Sequence, residues 1–419
     1  MMSHLKSEVM KEKALLIGVG KPNMKREDML FSLEELKNLV STAGGETVFT
    51  ITQELKQIHP ATFIGKGKVA EAKHLCEEHH LDLVVIDDEL SPVQNRNLEN
   101  EFGVRVLDRT AVILDIFAMR AQTKEGRLQV ELAQLEYLAP RLVGSGKNLS
   151  QQVGRIGTRG PGETALEQDR RRIRERITQL KREVKEVRKH RTLHRKRRDK
   201  VPLPLISLVG YTNAGKSTLM KSLTKADVLV EDKLFATLDP TVRKLKLPSG
   251  RIVLLADTVG FIHRLPHQLV DAFQATFEEV RNAHLLLHLV DVSHHRYQDH
   301  IAVVSKVLEE LQLSKKLLVL AYNKVDTLDE FHCPQDVECI SALEGTGISH
   351  LLETLDKALR KEFLATSLFI PYERGDILSH LYELAFVKKV ERLEKGIKVE
   401  CDLQEKFLGK YKAFIQVQQ

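Results

Sequence analysis

Apolar residues recur along this chain with two alternating periods. In the first 119 residues, runs of strand length, ALLIGV (14–19), TVFTI (47–51), DLVVID (82–87) and VRVLD (104–108), are separated by stretches whose apolar positions step by three and four. Those stretches, LEELKNLV (33–40), 69–79 and 92–100, predict helices. Strands alternating with helices read as a small α/β domain with a mainly parallel sheet over residues 1–120. Within it IGKGKVAEA (64–72) is a Gly-Lys turn leading into a helix, without the full spacing of a phosphate loop.

The period then changes. Leu128, Leu132, Leu135 and Leu138 mark one helix face, and Ile173, Ile177, Leu180, Val184 and Val187 another, which predicts an antiparallel helical hairpin over 121–200. The connection between them, residues 141–163, holds six glycines and several basic residues but no apolar run. A long unstructured loop of that kind is uncommon unless functional, and glycine lets backbone approach a phosphate or a base, so contact with RNA is expected there. Charge points the same way. Residues 169–200 carry sixteen Lys and Arg against five Asp and Glu, a balance of +11, while the whole chain is +6, leaving −5 for the remainder. A block of that density is the footprint of a polyanion partner. Prolines in RKRRDKVPLP (195–204) end the helix and lead into the next domain.

Over 201–364 the pattern returns to strand and helix, and here short strings carry chemistry. GYTNAGKST (210–218) lies between the apolar run PLISLVG and a helix-like pattern. Gly210 and Gly215 let the loop bend, so the backbone N–H groups of Tyr211, Thr212, Asn213, Ala214 and Gly215 face phosphate, with Lys216 reaching it and Ser217 and Thr218 opening the helix. Ser217 is the expected Mg²⁺ ligand. DTVG (257–260) follows a second strand, which places Asp257 in the Mg²⁺ shell and the Gly260 N–H at a γ-phosphate. NKVD (323–326) follows a third. Its Asp326 carboxylate matches the N1 and exocyclic amine of guanine, beside Asn323 and Lys324, and Ser341, Ala342 and Leu343 supply the N–H that reads O6. The strings together predict GTP and GDP as ligands and GTP hydrolysis as the reaction.

Between phosphate loop and DTVG lies LFATLDPT (234–241), where Phe235 and Thr237 are expected at the nucleotide and Thr237 on Mg²⁺, with Thr241 also within reach. Phe261 stands where many small G proteins carry the glutamine that orients water, so unaided hydrolysis should be slow. The catalytic set is then Lys216, Thr237, Gly260 and Asn213, the last placed to help hold a K⁺ ion against the phosphates. Beyond 364, SLFIPY, a helix at 375–384, strand patterns at 385–392 and 395–401 and a final helix predict a small α+β domain over 365–419.

Composition adds limits. No stretch of eighteen apolar residues and no signal peptide appears, which predicts a cytoplasmic protein with at most peripheral membrane association. The basic face lacks apolar anchors for a membrane surface. Cys76, Cys333, Cys339 and Cys401 form no C-x-x-C pair and read as reduced thiols, and the histidines show no metal-ligand spacing.

Taken together, GTRGPGETALEQDRRRI (157–173), LFATLDPT, DTVGFI, IGKGKVAE and LDRTAVILDIFAMRAQTKEGRLQVELAQLEYLAPRL resemble the HflX family of GTPases over nearly the whole chain. Arg155, in place of a usual glycine, and the order His263-Arg264 depart from the family pattern. The resemblance implies a cytosolic GTPase associated with the large (50S) ribosomal subunit, its glycine-rich loop and N-terminal region reaching ribosomal RNA, with roles in ribosome dissociation, rescue or biogenesis. It leaves no place for DNA, and a monomer is expected. The competing reading is an RNA-binding ribosome-assembly scaffold whose GTP site only senses state.

Overall fold

The computed structural model describes residues 11–22, 24–141, 161–198, 203–224, 234–264, 277–360 and 363–415. Most of the glycine-rich loop predicted at 141–163, Arg155 included, lies outside them. The chain divides into two compact units, one made chiefly of residues up to Lys185 and the other chiefly of residues from Glu186 onward.

In the first unit, β1 (Lys13–Gly20), β2 (Glu46–Glu54), β3 (Leu83–Ile86) and β4 (Arg105–Asp108) form a four-stranded sheet in the order β2-β1-β3-β4. Every pairing is parallel, as alternation with helices requires, because parallel neighbours need a crossover. The crossovers are α1 (Arg26–Thr42), α2 (Lys66–His79) and α3 (Pro92–Phe102), the last opened by Ser91 and Gln94 in a capping box with Pro92 at its first turn. One face of the sheet packs Leu15, Ile17, Val84 and Ile86 against Val69, Ala72, Leu98 and Phe102. Fully burying a side chain of this size contributes roughly 1.5–3 kcal/mol, so the apolar positions hold the layers together. Buried Arg109 pairs with Asp87 at 2.8 Å and with Glu35, which ties α4 (Arg109–Arg120) to the residue after β3 and to α1. The helical region that follows consists of α5 (Lys124–Leu138) and the 38-residue α6 (Pro161–Arg198), joined through Arg176–Glu131 and Lys181–Glu136 ion pairs.

The second unit holds two sheets. Six strands run in the order β10-β9-β8-β5-β7-β6: β5 (Leu205–Gly210), β6 (Thr241–Lys246), β7 (Ile252–Asp257), β8 (Leu285–Asp291), β9 (Leu317–Asn323) and β10 (Glu338–Cys339). All pair in parallel except β6 with β7, which a short turn joins. The continuous apolar runs of β5 and β8 are buried along their length, the mark of strands covered on both faces. Three antiparallel strands, β11 (Phe363–Pro371), β12 (Phe386–Leu393) and β13 (Gly396–Gln404), form the second sheet in the order β11-β13-β12, backed by the helix Gly375–Leu384. Buried Arg251 pairs with Asp402 of β13, and Lys388 reaches the other oxygen of the same carboxylate at 2.5 Å.

The cysteines correct an expectation. Cys76 and Cys401 are buried free thiols, but Cys333 and Cys339 are bonded to each other, with Cα atoms 6.0 Å apart. A turn between them closes the gap, which spacing along the chain does not reveal. Among the described residues no helix is long and apolar enough to cross a membrane.

Candidate functional site

Strand β5 ends at Gly210, and after a five-residue bend α7 (Lys216–Thr224) begins. Two positions in the bend admit only glycine. A Cβ on Gly210 would lie 2.3 Å from the Leu289 carbonyl oxygen, and one on Gly215, whose φ is +89°, would lie 2.2 Å from the Asn323 side-chain nitrogen. The loop is pressed this tightly against β8 and β9. Asn213 sits at the exposed tip in a left-handed conformation (φ 61°), which asparagine tolerates better than most residues. Ala214 is buried behind it, and Thr218 is half-buried on the first turn of α7.

Lys216 is buried, its Nζ donating to the carbonyl oxygens of Tyr211 (2.7 Å) and Gly210 (3.2 Å). Burial lowers its pKa to about 8, and the nearby Asp257 charge opposes the shift. The ammonium is held inside the loop where phosphate oxygens would meet it. Next to it three oxygens converge: Ser217 Oγ lies 2.7 Å from Asp257 Oδ2 and 2.8 Å from Thr237 Oγ1, and Thr237 Oγ1 lies 3.1 Å from the same Asp257 oxygen. Thr241 instead pairs with Asp257 along the β6–β7 ladder. Asp257 is wholly buried, its pKa raised by desolvation against the hydrogen bond from Ser217 and the charge of Lys216, and its Oδ1 has no hydrogen-bond partner. A buried carboxylate with a free oxygen, beside two hydroxyls, fits a hard divalent cation bound through oxygen and water.

Gly260 comes close above the loop. A Cβ there would lie 2.7 Å from Thr212 Cα and 2.9 Å from Lys216 Nζ, so only glycine fits between DTVG and the phosphate loop. Reciprocal backbone bonds hold that approach, Thr212 N–H donating to Phe261 O at 2.7 Å and Phe261 N–H to Gly210 O at 3.0 Å. The Phe261 ring, at the position of the usual glutamine, is buried and stacked parallel to Phe277 with centroids 5.7 Å apart. It points into the core and offers no group to a water. Phe235 is also buried, with φ 54°.

At the other end of the site the backbone turns left-handed at Lys324 (φ 67°), whose ammonium pairs with Asp291 at 2.7 Å, and Asp326 is exposed on the following turn. Asn323 is buried with both ends of its amide used: Nδ2 donates to Ala214 O at 2.8 Å, and Oδ1 accepts from Ala342 N–H at 2.9 Å. It stitches the phosphate loop to the 341–343 loop. Ser341, fully buried, shapes its loop by accepting at Oγ from Glu344 N–H, while Leu343 is 80% exposed.

Two contacts were not legible in the sequence. Tyr211 stacks on His300 (3.9 Å between centroids, 8° between planes), and its hydroxyl accepts from His263 N–H at 2.7 Å, linking the phosphate loop to the segment after DTVGF. Asp291 anchors Lys324. Its only sequence signal is its place at the end of the apolar run of β8.

Comparison with known proteins finds relatives along most of the chain. Residues 31–118 match the family description "GTP-binding GTPase N-terminal", 120–198 "GTP-binding GTPase Middle Region", 205–324 "50S ribosome-binding GTPase" and 330–407 "HflX C-terminal domain". GTPase HflX of Caldanaerobacter subterraneus is 49% identical over 94% of this chain and 93% of its own length. GTPase HflX of Escherichia coli is 45% identical over 87% of each chain. A crystal structure of a GTP-binding protein from Sulfolobus solfataricus in complex with GDP is 24% identical and covers 84% of this chain and 99% of its own, with a TM-score of 0.44. With such identity to curated relatives along nearly its full length, the chain belongs to the HflX family and is a GTP-binding GTPase.

Proposed function

We propose that this GTPase acts on the ribosome in the cytoplasm, docking on the large (50S) subunit and separating joined or stalled ribosomes when GTP is bound. The observation that supports a nucleotide-driven switch is the Ser217–Thr237–Asp257 cluster: Thr237, from the segment between phosphate loop and DTVG, already reaches the site's two other oxygen ligands. Ser217, Thr237 and Asp257 would hold Mg²⁺, which neutralises charge on the β- and γ-phosphates when bound. Lys216 binds those phosphates, and the Gly260 N–H senses the γ-phosphate from a backbone pinned to Gly210 and Thr212. Asp326 selects guanine, with Lys324 held in place beside it by Asp291.

With Phe261 buried, no side chain at that position orients the attacking water, so turnover waits on a partner. Asn213, exposed at the loop tip, is positioned to help hold K⁺ at the phosphates. The excess of positive charge over 169–200 and the match of 205–324 to ribosome-binding GTPases favour ribosomal RNA as that partner.

The test is GTP turnover by the purified chain, alone and with isolated large or small subunits, with Lys216→Ala as control. Stimulation by large subunits, followed by GTP-dependent loss of joined ribosomes in a sedimentation assay, is the expected result. Binding to subunits without stimulation or splitting would instead support an assembly scaffold.

A further inference from the structure

Cys333 and Cys339 both lie within the segment that joins the two loops expected to read guanine. Cys333 lies seven residues after Asp326, and Cys339 two residues before Ser341. Their Cα atoms are 6.0 Å apart and their sulfurs are bonded. Cys333 is exposed and Cys339 half-buried, so reagents in solution reach them. The other two cysteines contrast with this pair. Cys76 and Cys401 are buried, and burial raises their thiol pKa values to about 11 and about 12, which leaves almost no thiolate to react.

The pair sits where the sheet is held least. β10 is the edge strand and pairs with β9 through only two residues, Glu338 with Ala321 and Cys339 with Tyr322. From it the chain passes through Ile340, whose N–H donates to Tyr322 O at 2.8 Å, into Ser341 and Ala342. Ala342 then bonds to Asn323 and so to the phosphate loop. An opening of the base site that peels β10 from β9 moves Cys339 and the turn that its bond to Cys333 closes.

We propose that Cys333 and Cys339 are a thiol–disulfide modification site that governs guanine-nucleotide release. In the oxidising direction a small disulfide RSSR is the reactant. Cys333 attacks it as the thiolate, one RS–SR bond breaks, and Cys339 then displaces the second RS group. The two cysteine sulfurs are oxidised, the two RS sulfurs leave as RSH, and the thiol protons end on them. The bond ties β10 to the segment following Asp326 and opposes the local opening through which the base leaves. Reduction by a dithiol reverses each step and frees the edge. Disulfides in reducing compartments are usually transient and regulatory, which suits a pair this accessible. The inference rests on assigning 323–326 and 341–343 to the guanine base.

The test is release of mant-GDP from the full chain, chased with excess GDP, after equilibration with glutathione disulfide or with dithiothreitol, the 333–339 bond being mapped by mass spectrometry. Release is expected to slow about tenfold in the oxidised protein, a part of the constraint that closing a loop imposes. Cys333→Ser should release at the reduced rate in both conditions, and the wild-type comparison stands if that variant does not fold. Equal rates with the bond verified as present and absent would overturn the proposal, as would a failure of the bond to form. Absence of mant-GDP binding in both states would overturn the guanine-site assignment, and the proposal with it.

Discussion

Replacing Asn323 by alanine tests whether its amide acts by holding the loops or by contacting the base. In the structure its amide satisfies Ala214 O at 2.8 Å and Ala342 N–H at 2.9 Å, and all three residues are buried. Asn323→Ala leaves that carbonyl and that N–H without partners in a place water does not reach. An unsatisfied buried group costs about 1–3 kcal/mol, so the pair costs roughly 2–6 kcal/mol before relaxation. For a domain of this size each kcal/mol moves Tm by about 2–4 °C, which predicts a fall of roughly 4–24 °C in the nucleotide-free protein. The phosphate loop and the 341–343 loop lose their common strut, and affinity for GDP should drop by about two orders of magnitude. Thermal unfolding without nucleotide and mant-GDP titration check the two effects. Loss of affinity with an unchanged Tm would refute the reasoning, since it would mean that the amide acts on the base directly. Asn323→Asp keeps the acceptor for Ala342 but sets an oxygen against Ala214 O, so it should be no more stable than the alanine variant.

Other outcomes follow from the same geometry. Asp326→Asn should reverse the carboxylate match to guanine, lowering GTP affinity by at least tenfold while raising that for xanthosine triphosphate, as competition against mant-GDP would show; equal loss for both would remove Asp326 from base selection. Turnover in KCl should exceed that in NaCl at matched ionic strength, and Asn213→Ala should abolish the difference; equal rates in the two salts would exclude the K⁺ role. Burial, reinforced by the charge of Lys216, lowers the pKa of His288 from 6.5 to about 4, so the imidazole is neutral in the folded chain and takes up its proton more readily when unfolded. Its contribution is present above pH 6.5 and is lost as pH falls towards 4, about 2 kcal/mol by pH 5. Urea unfolding of the wild type and His288→Gln at pH 7 and pH 5 reads this, and a loss of the same size in the variant would assign it to other groups.

The sequence by itself determined the elements and the chemistry of the site. Period-two and period-3.6 patterns fixed strands and helices because each element must bury one face, and the phosphate-loop, DTVG and NKVD strings stood out because loops that approach phosphate admit few residue types. Phe261 was visible as a departure, since one residue occupies a position defined by its neighbours. Tertiary structure alone decided how these pieces act on one another. That Thr237 rather than Thr241 reaches Ser217 depends on which residue the β6–β7 ladder engages. The strut made by Asn323 joins residues 109 and 19 positions away, and the Tyr211–His263 bond spans 52. Cys333 and Cys339 were read as reduced because spacing suggests no pair, whereas a turn at a sheet edge brings them together. Local patterns record what each segment must bury or bind; contacts between segments depend on distances that only the folded chain sets.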